Sequence, residues 1–198
     1  MKHDLKVIGM GELLWDMLPN GKQLGGAPGN FVYHAQKNGA EALLLSALGN
    51  DDNGREILDL LKTKNITTDL IQVNEKNTGT VDIELSSEGI PEYIIHENVA
   101  WDFIELNNDC KKVVSAADIV CFGSLAQRNS VSRNTIERLL GQCKPDALVV
   151  CDINLRQNFY SLEIIERSLQ LCNVLKLNEE ELPVVCNLLE ITAESEEG

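Results

Sequence analysis

The chain has 198 residues, 43% of them hydrophobic and 24% charged, which is the composition of a folded globular protein long enough for one substantial core. Seventeen Lys plus Arg stand against 31 Asp plus Glu, a net charge of −14 without any basic cluster, so the electrostatic footprint of a nucleic-acid or anionic-lipid binder is missing. No apolar run approaches membrane-spanning length, no secretory signal opens the chain, and the six cysteines are scattered without metal or redox spacing; a reduced cytoplasmic protein is expected.

Leu5 to Gly11 reads as a first strand. Its glycines invite a dinucleotide fingerprint, but Leu14 stands where the third glycine belongs. Asp16 follows as the one acid among the large apolar residues of Leu13 to Leu18. A carboxylate there needs partners, and two readings stay open: a partly exposed turn acid, or an acceptor for two sugar hydroxyls.

Gly25-Gly26-Ala27-Pro28-Gly29-Asn30 comes next. Paired glycines let backbone approach a ligand, and Pro28 suits the first turn of a helix that closes at Asn38-Gly39. The free N–H groups of that turn, with the Asn30 carboxamide, would offer several donors to a polyhydroxylated molecule. Ala42 to Leu48 is then a buried strand that enters the polar turn Gly49 to Gly54, and Asn53 to Lys62 has the spacing of a packing helix.

From Thr80 the apolar period changes to two. Thr80 to Leu85, a turn at Ser86 to Gly89 and Glu92 to His96 form the clearest hairpin, with His96 a strand residue. Beyond Trp101, helices near Asn107 to Ser115, Ser130 to Leu140 and Leu162 to Leu171 alternate with strands at Asp118 to Phe122, Ala147 to Cys151 and Val174 to Leu177. A fourth helix begins at Glu179. Such alternation predicts a mostly parallel sheet with helices on both faces, whose ligands bind beyond the carboxyl ends of its strands. Two of those exits carry polar clusters, Asp152-Ile153-Asn154-Leu155-Arg156 and Asn178-Glu179-Glu180-Glu181.

Taken together, Gly25-Gly26, Asn30 four residues on, a helix ending in glycine and Gly49-x-Asp51-x-x-Gly54 resemble the first signature of the ribokinase/PfkB family of sugar kinases. The two strand exits resemble the family's Asp-x-Asn-x-Arg and Asn-x-x-Glu elements. Ribose-specific members carry Asn where Leu14 stands, so the likeness leans to the fructokinase-like branch. The resemblance implies a ribokinase-like fold: a Rossmann-like α/β domain over residues 1–198 with a small β lid, its strands within 13–27 and 71–100. It also implies a homodimer through the lid strands.

For the site, the resemblance implies that Asp16, Gly25, Gly26, Asn30, Asn154 and Arg156 bind the sugar. Asn178 would then lie near ATP, and Glu181 would reach Mg²⁺ through water. The family's Asp-Thr-x-Gly-Ala-Gly-Asp element, which supplies the anion hole and the general base, does not occur in these residues. The expectation is therefore the sugar-binding part of an ATP-dependent carbohydrate kinase, truncated before the nucleotide-binding part and without turnover of its own. A nucleoside kinase of the same family and a non-catalytic sugar-binding short form are the alternatives.

Overall fold

The computed structural model describes residues 5–85 and 91–191. Its main body is a six-stranded, all-parallel sheet in the order β10-β9-β8-β1-β4-β5. The strands are β1 (Lys6–Met10), β4 (Glu41–Gly49), β5 (Ile71–Asn74), β8 (Ile119–Gly123), β9 (Leu148–Asp152) and β10 (Val174–Lys176). The near-continuous apolar runs of β1, β4, β8 and β9 follow from burial on both faces. One face packs Val7, Leu44 and Leu48 against Val32 of α1 (Ala27–Lys37) and Ile57 and Leu61 of α2 (Asp52–Thr63). The other packs Ile8, Met10 and Phe122 against α3 (Asn108–Ser115), α4 (Ser130–Leu140) and α5 (Leu162–Leu171).

Local capping starts most of these helices. Asp51 accepts from Gly54 N–H, Asn107 from Cys110 N–H, Asn129 from Val131 N–H and Ser161 from Ile164 N–H, each satisfying a donor that the helix leaves free. The helix expected from Glu179 begins at Glu181 instead, as α6 (Glu181–Leu188), because Asn178 Oδ1 accepts the N–H groups of both Glu180 and Glu181.

A second, four-stranded sheet in the order β3-β2-β6-β7 lies beside this body. It comprises β2 (Leu14–Leu18), β3 (Gly21–Gly25), β6 (Gly79–Leu85) and β7 (Pro91–Ile95). The hairpin partners β6 and β7 pair antiparallel as expected, with Asp82 opposite Ile94; the turn at Ser86 to Gly89 lies outside the described residues. Two features lie beyond what the sequence pattern expressed. β6 runs parallel to β2, making the small sheet mixed, and β5 forms an edge of the large sheet. Both are long-range pairings, which no local pattern encodes.

β10 forms the opposite edge of the large sheet, pairing among the described residues with β9 alone, and leaves Val174 and Leu175 39% and 40% exposed. Among the described residues no helix is long and apolar enough to cross a membrane. All six cysteines are free; Cys110, Cys121 and Cys151 are buried, whereas Cys143, Cys172 and Cys186 are only partly so.

Candidate functional site

The two sheets enclose a cavity of about 820 Å³. Along the small sheet, side chains of alternate residues point to opposite faces. Leu14 and Asp16 of β2, Gln23 and Gly25 of β3, Val81 and Ile83 of β6, and Tyr93 and Ile95 of β7 share the face that lines the cavity. The opposite wall comes from the carboxyl ends of three neighbouring strands: Glu12 after β1, Leu125 after β8, and Asn154 to Gln157 after β9. The start of α1 completes it with Gly26, Ala27 and Asn30. All six residues expected to bind sugar, Asp16, Gly25, Gly26, Asn30, Asn154 and Arg156, therefore line one cavity.

Asn178 and Glu181 do not line it. Glu181 is buried, and its two carboxylate oxygens accept the N–H groups of Leu155 and Asn178, each at 2.9 Å. It ties the β10 exit to the β9 exit. No group of three or more His, Cys, Asp or Glu able to hold a metal occurs among the described residues. Asp152, the acid of the first polar cluster, pairs with Lys176 Nζ at 2.8 Å, outside the cavity.

The geometry at the paired glycines explains their presence. Gly26 has φ +111°, a region that side chains avoid, and a Cβ there would overlap the backbone oxygen of Glu12. The donors expected from the α1 start are fewer than the sequence implied. Ala27 N–H donates to Glu12 Oε1 at 3.1 Å, Asn30 N–H donates to Gly26 O at 3.1 Å, and Pro28 has none to give. The exposed Asn30 carboxamide is the side-chain donor of this segment.

Glu12 is the site residue that the sequence did not reveal. It is 2% exposed, and its Oε2 is buried without a hydrogen-bond partner. Burial pushes its carboxyl up to about 7; bonds from its own N–H and that of Ala27 oppose the shift, the Asp152 charge adds to it and the Arg156 guanidinium opposes it. Only the three-dimensional closure of Gly26 over Glu12 makes this acid different from any other that follows a strand.

Asp16 is half-buried. Desolvation raises its carboxyl above the ordinary range, and the Arg156 guanidinium pulls it back. Arg156 itself is exposed, and its one hydrogen bond among the described residues is to the carbonyl of Leu155 at 3.0 Å. Its loop is held in shape by two left-handed residues, Asn154 at φ +43° and Gln157 at φ +48°, and by a bond from Gln157 Nε2 to Tyr93 O on the small sheet. Among the described lining residues the charged groups are two acids, Glu12 and Asp16, and one cation, Arg156.

The Gly123 to Arg128 exit of β8 is largely structural. Gln127 donates to Gly123 O and Ser168 Oγ, both at 2.9 Å, and Arg128 lies between the rings of Trp101 and Phe159. His96, a residue just past β7, is engaged at the surface with Asp82 at 2.7 Å.

A parallel sheet wound on both faces, with a small sheet arched over a polar cavity at its strand ends, is the architecture of the ribokinase-like α/β proteins. The chain belongs to the pfkB family of carbohydrate kinases, whose family model matches residues 19–197. It is 29% identical over 168 residues to a putative sugar kinase of Pyrococcus horikoshii, covering 81% of this chain and 54% of that one. The crystal structure of that kinase in complex with ATP superposes with a TM-score of 0.80, over 92% of this chain and 66% of the other. An ATP-dependent 6-phosphofructokinase of Thermoanaerobacterium thermosaccharolyticum is 26% identical over 73% of this chain and 48% of its own. A fructokinase of Salmonella typhimurium is 26% identical over 89% and 61% respectively. The chain thus spans about half the length of the first two of these relatives.

Proposed function

We propose that this chain is the sugar-binding part of an ATP-dependent kinase that phosphorylates a hydroxyl of a fructose-like carbohydrate. The observation that carries the reading is the single cavity onto which Asp16, Gly25, Gly26, Asn30, Asn154 and Arg156 converge from both sheets. Asp16 accepts two hydroxyls, Asn30 and Asn154 fix neighbouring ones, and the paired glycines let the backbone come against the ring. The charge balance favours an unphosphorylated sugar: Asp16 offsets the one guanidinium, Arg156, leaving no surplus cation among the described lining residues for a phosphate dianion.

ATP supplies the transferred phosphoryl group, with Asn178 on the nucleotide side. Both oxygens of Glu181 accept backbone N–H groups, and among the described residues no cluster of three or more His, Cys, Asp or Glu could hold the ion directly, so Mg²⁺ would reach Glu181 through water. These residues also hold no Gly-Ala-Gly-Asp element to serve as anion hole and base, so ATP turnover by this chain is expected at background. A homodimer through the small sheet belongs to the same reading; Met17 and Ile94 are 37% and 38% exposed on the face turned away from the cavity.

Calorimetry with fructose, ribose, fructose 6-phosphate and adenosine tests the reading. Binding of fructose, lost in Asp16→Ala, is the expected result. Preference for the sugar phosphate or the nucleoside would overturn the substrate class, and sugar-dependent ADP release at roughly 1–100 per second would overturn the absence of turnover.

A further inference from the structure

The turn from Gly49 to Gly54 leads out of the large sheet into α2, yet it also holds the small sheet. Asp51 Oδ2 accepts Thr78 N–H at 2.7 Å, and Oδ1 accepts the Thr78 hydroxyl at 2.6 Å and Gly54 N–H at 2.8 Å. The same hydroxyl oxygen accepts Gly49 N–H at 2.9 Å. Next to this knot, Trp15 Nε1 donates to Asn53 O at 3.1 Å, and Lys22 Nζ donates to Asn53 Oδ1 at 2.9 Å while pairing with Glu56. Strands β2, β3 and β6 are thus fastened to the first turn of one helix.

The knot is closed and leaves no slack. Thr78 is 2% exposed. A Cβ on Gly49 would overlap Lys76 O and one on Gly54 would overlap Gly49 O, which gives the Gly-x-Asp-x-x-Gly spacing a physical cause. None of Gly49, Asp51, Gly54 and Thr78 lines the cavity. Thr78 nevertheless immediately precedes Gly79, which pairs with Leu14, and two rungs further Val81 pairs with Asp16. The small sheet carries Asp16 over the cavity in a register that begins at the knot.

We infer that Asp51 and Thr78 are positioning residues for ligand binding: through this junction they align the small sheet over the cavity, and so set the affinity of the Asp16 site without touching the ligand. The inference rests on the cavity being a sugar site. A displacement on the order of 1 Å at a recognition group is enough to cost a large factor in function, which is why a remote fastening can matter.

Thr78→Val removes the hydroxyl at nearly constant shape, and Thr78→Ser keeps it. Amide hydrogen exchange and calorimetry with fructose on the 198-residue chain read the two effects separately. In Thr78→Val, exchange is expected to rise in residues 14–18 and 79–83 but not in 6–10 or 119–123. Fructose affinity is expected to fall about tenfold, and Thr78→Ser is expected to restore both. Exchange that rises evenly in both sheets, or a loosened small sheet with unchanged affinity, would overturn the inference. If Thr78→Val does not fold, Lys22→Ala removes an exposed fastening instead, and faster exchange confined to residues 14–25 with about twofold weaker binding is the supporting result. Unchanged exchange there would count against the junction. If the unmodified chain binds none of the sugars, the functional reading falls, and the exchange pattern alone decides whether the junction holds the small sheet.

Discussion

The Asp16 carboxylate occupies the space that a side chain on Gly25 would need: a Cβ built on Gly25 would lie 2.5 Å from Asp16 Oδ2. Glycine at this position is therefore a condition for the carboxylate to face the cavity. Gly25→Ala should push Asp16 aside and weaken fructose binding by about ten- to a hundredfold, with the fold retained, as measured by calorimetry and circular dichroism. Unchanged affinity would show that Asp16 does not bind from its present position.

Removing the carboxylate itself should cost more. Asp16→Ala loses an acceptor for two ligand hydroxyls, at roughly 2–5 kcal/mol, a factor of tens to thousands in the dissociation constant. Its half-buried position predicts little change in melting temperature, so affinity and stability should separate cleanly in paired titration and unfolding measurements.

Glu12 should make stability depend on pH around neutrality. Its carboxyl titrates near 7 in the folded chain and at 4.5 in the reference state, so the folded state binds the proton more tightly. The contribution of Glu12 is fully present below pH 4.5 and is lost as pH rises towards 7, to a total on the order of 3 kcal/mol. Urea unfolding of the wild type and Glu12→Gln between pH 5 and 8 should show the variant gaining in relative stability as pH rises. Parallel profiles would mean that Glu12 is ionised in the folded chain throughout. Asp51 acts in the opposite sense. Its burial alone would raise its carboxyl, but the bonds from Thr78 and Gly54 outweigh this and lower it, so its contribution is present above pH 3.8 and lost on acidification.

Asp102 and Arg128 form the chain's most buried ion pair among the described residues, with side chains 2% and 6% exposed. Arg128 donates through Nε and Nη2 to the two oxygens of Asp102, at 2.8 and 2.9 Å, and its guanidinium stacks on Trp101 and Phe159. Asp102→Ala would leave that cation unpaired and should destabilise the chain by about 3–5 kcal/mol in denaturant unfolding. Removing the Arg as well should recover part of the loss, because the penalty comes from the stranded charge.

The β10 edge predicts a surface property. Val174 and Leu175 of β10 and Leu182 of α6 are 39%, 40% and 49% exposed, and β10 has no second partner strand among the described residues. The purified chain should bind the dye ANS and self-associate, and Leu175→Lys should reduce both while leaving the melting temperature nearly unchanged. Sedimentation velocity with dye fluorescence checks this; a monomeric chain without excess dye binding would show that the edge is harmless.

The helices α4 and α5 begin and end at the residues their sequence predicts, because caps such as Asn129 and Ser161 and apolar spacing act within a few residues. The β6–β7 pairing, the paired glycines and the polar strand exits were legible for the same reason: alternation, glycine and strand-end placement are local signals. So were Asp16, Asn30, Asn154 and Arg156 as candidates, through the motif that they share with a known family.

What remained hidden depends on residues far apart in the chain. The parallel union of β2 with β6 joins positions about 65 apart, and the Asp51–Thr78 knot and the Asp102–Arg128 pair each span more than twenty residues. Glu12 shows the limit most clearly. Its sequence surroundings describe an ordinary acid after a strand, and only the folding of the Gly26 turn across it removes water from its carboxyl. Desolvation and long-range pairing are properties of the assembled fold, so the tertiary structure alone decided which acid is buried, which strands pair and which side chains meet at the cavity.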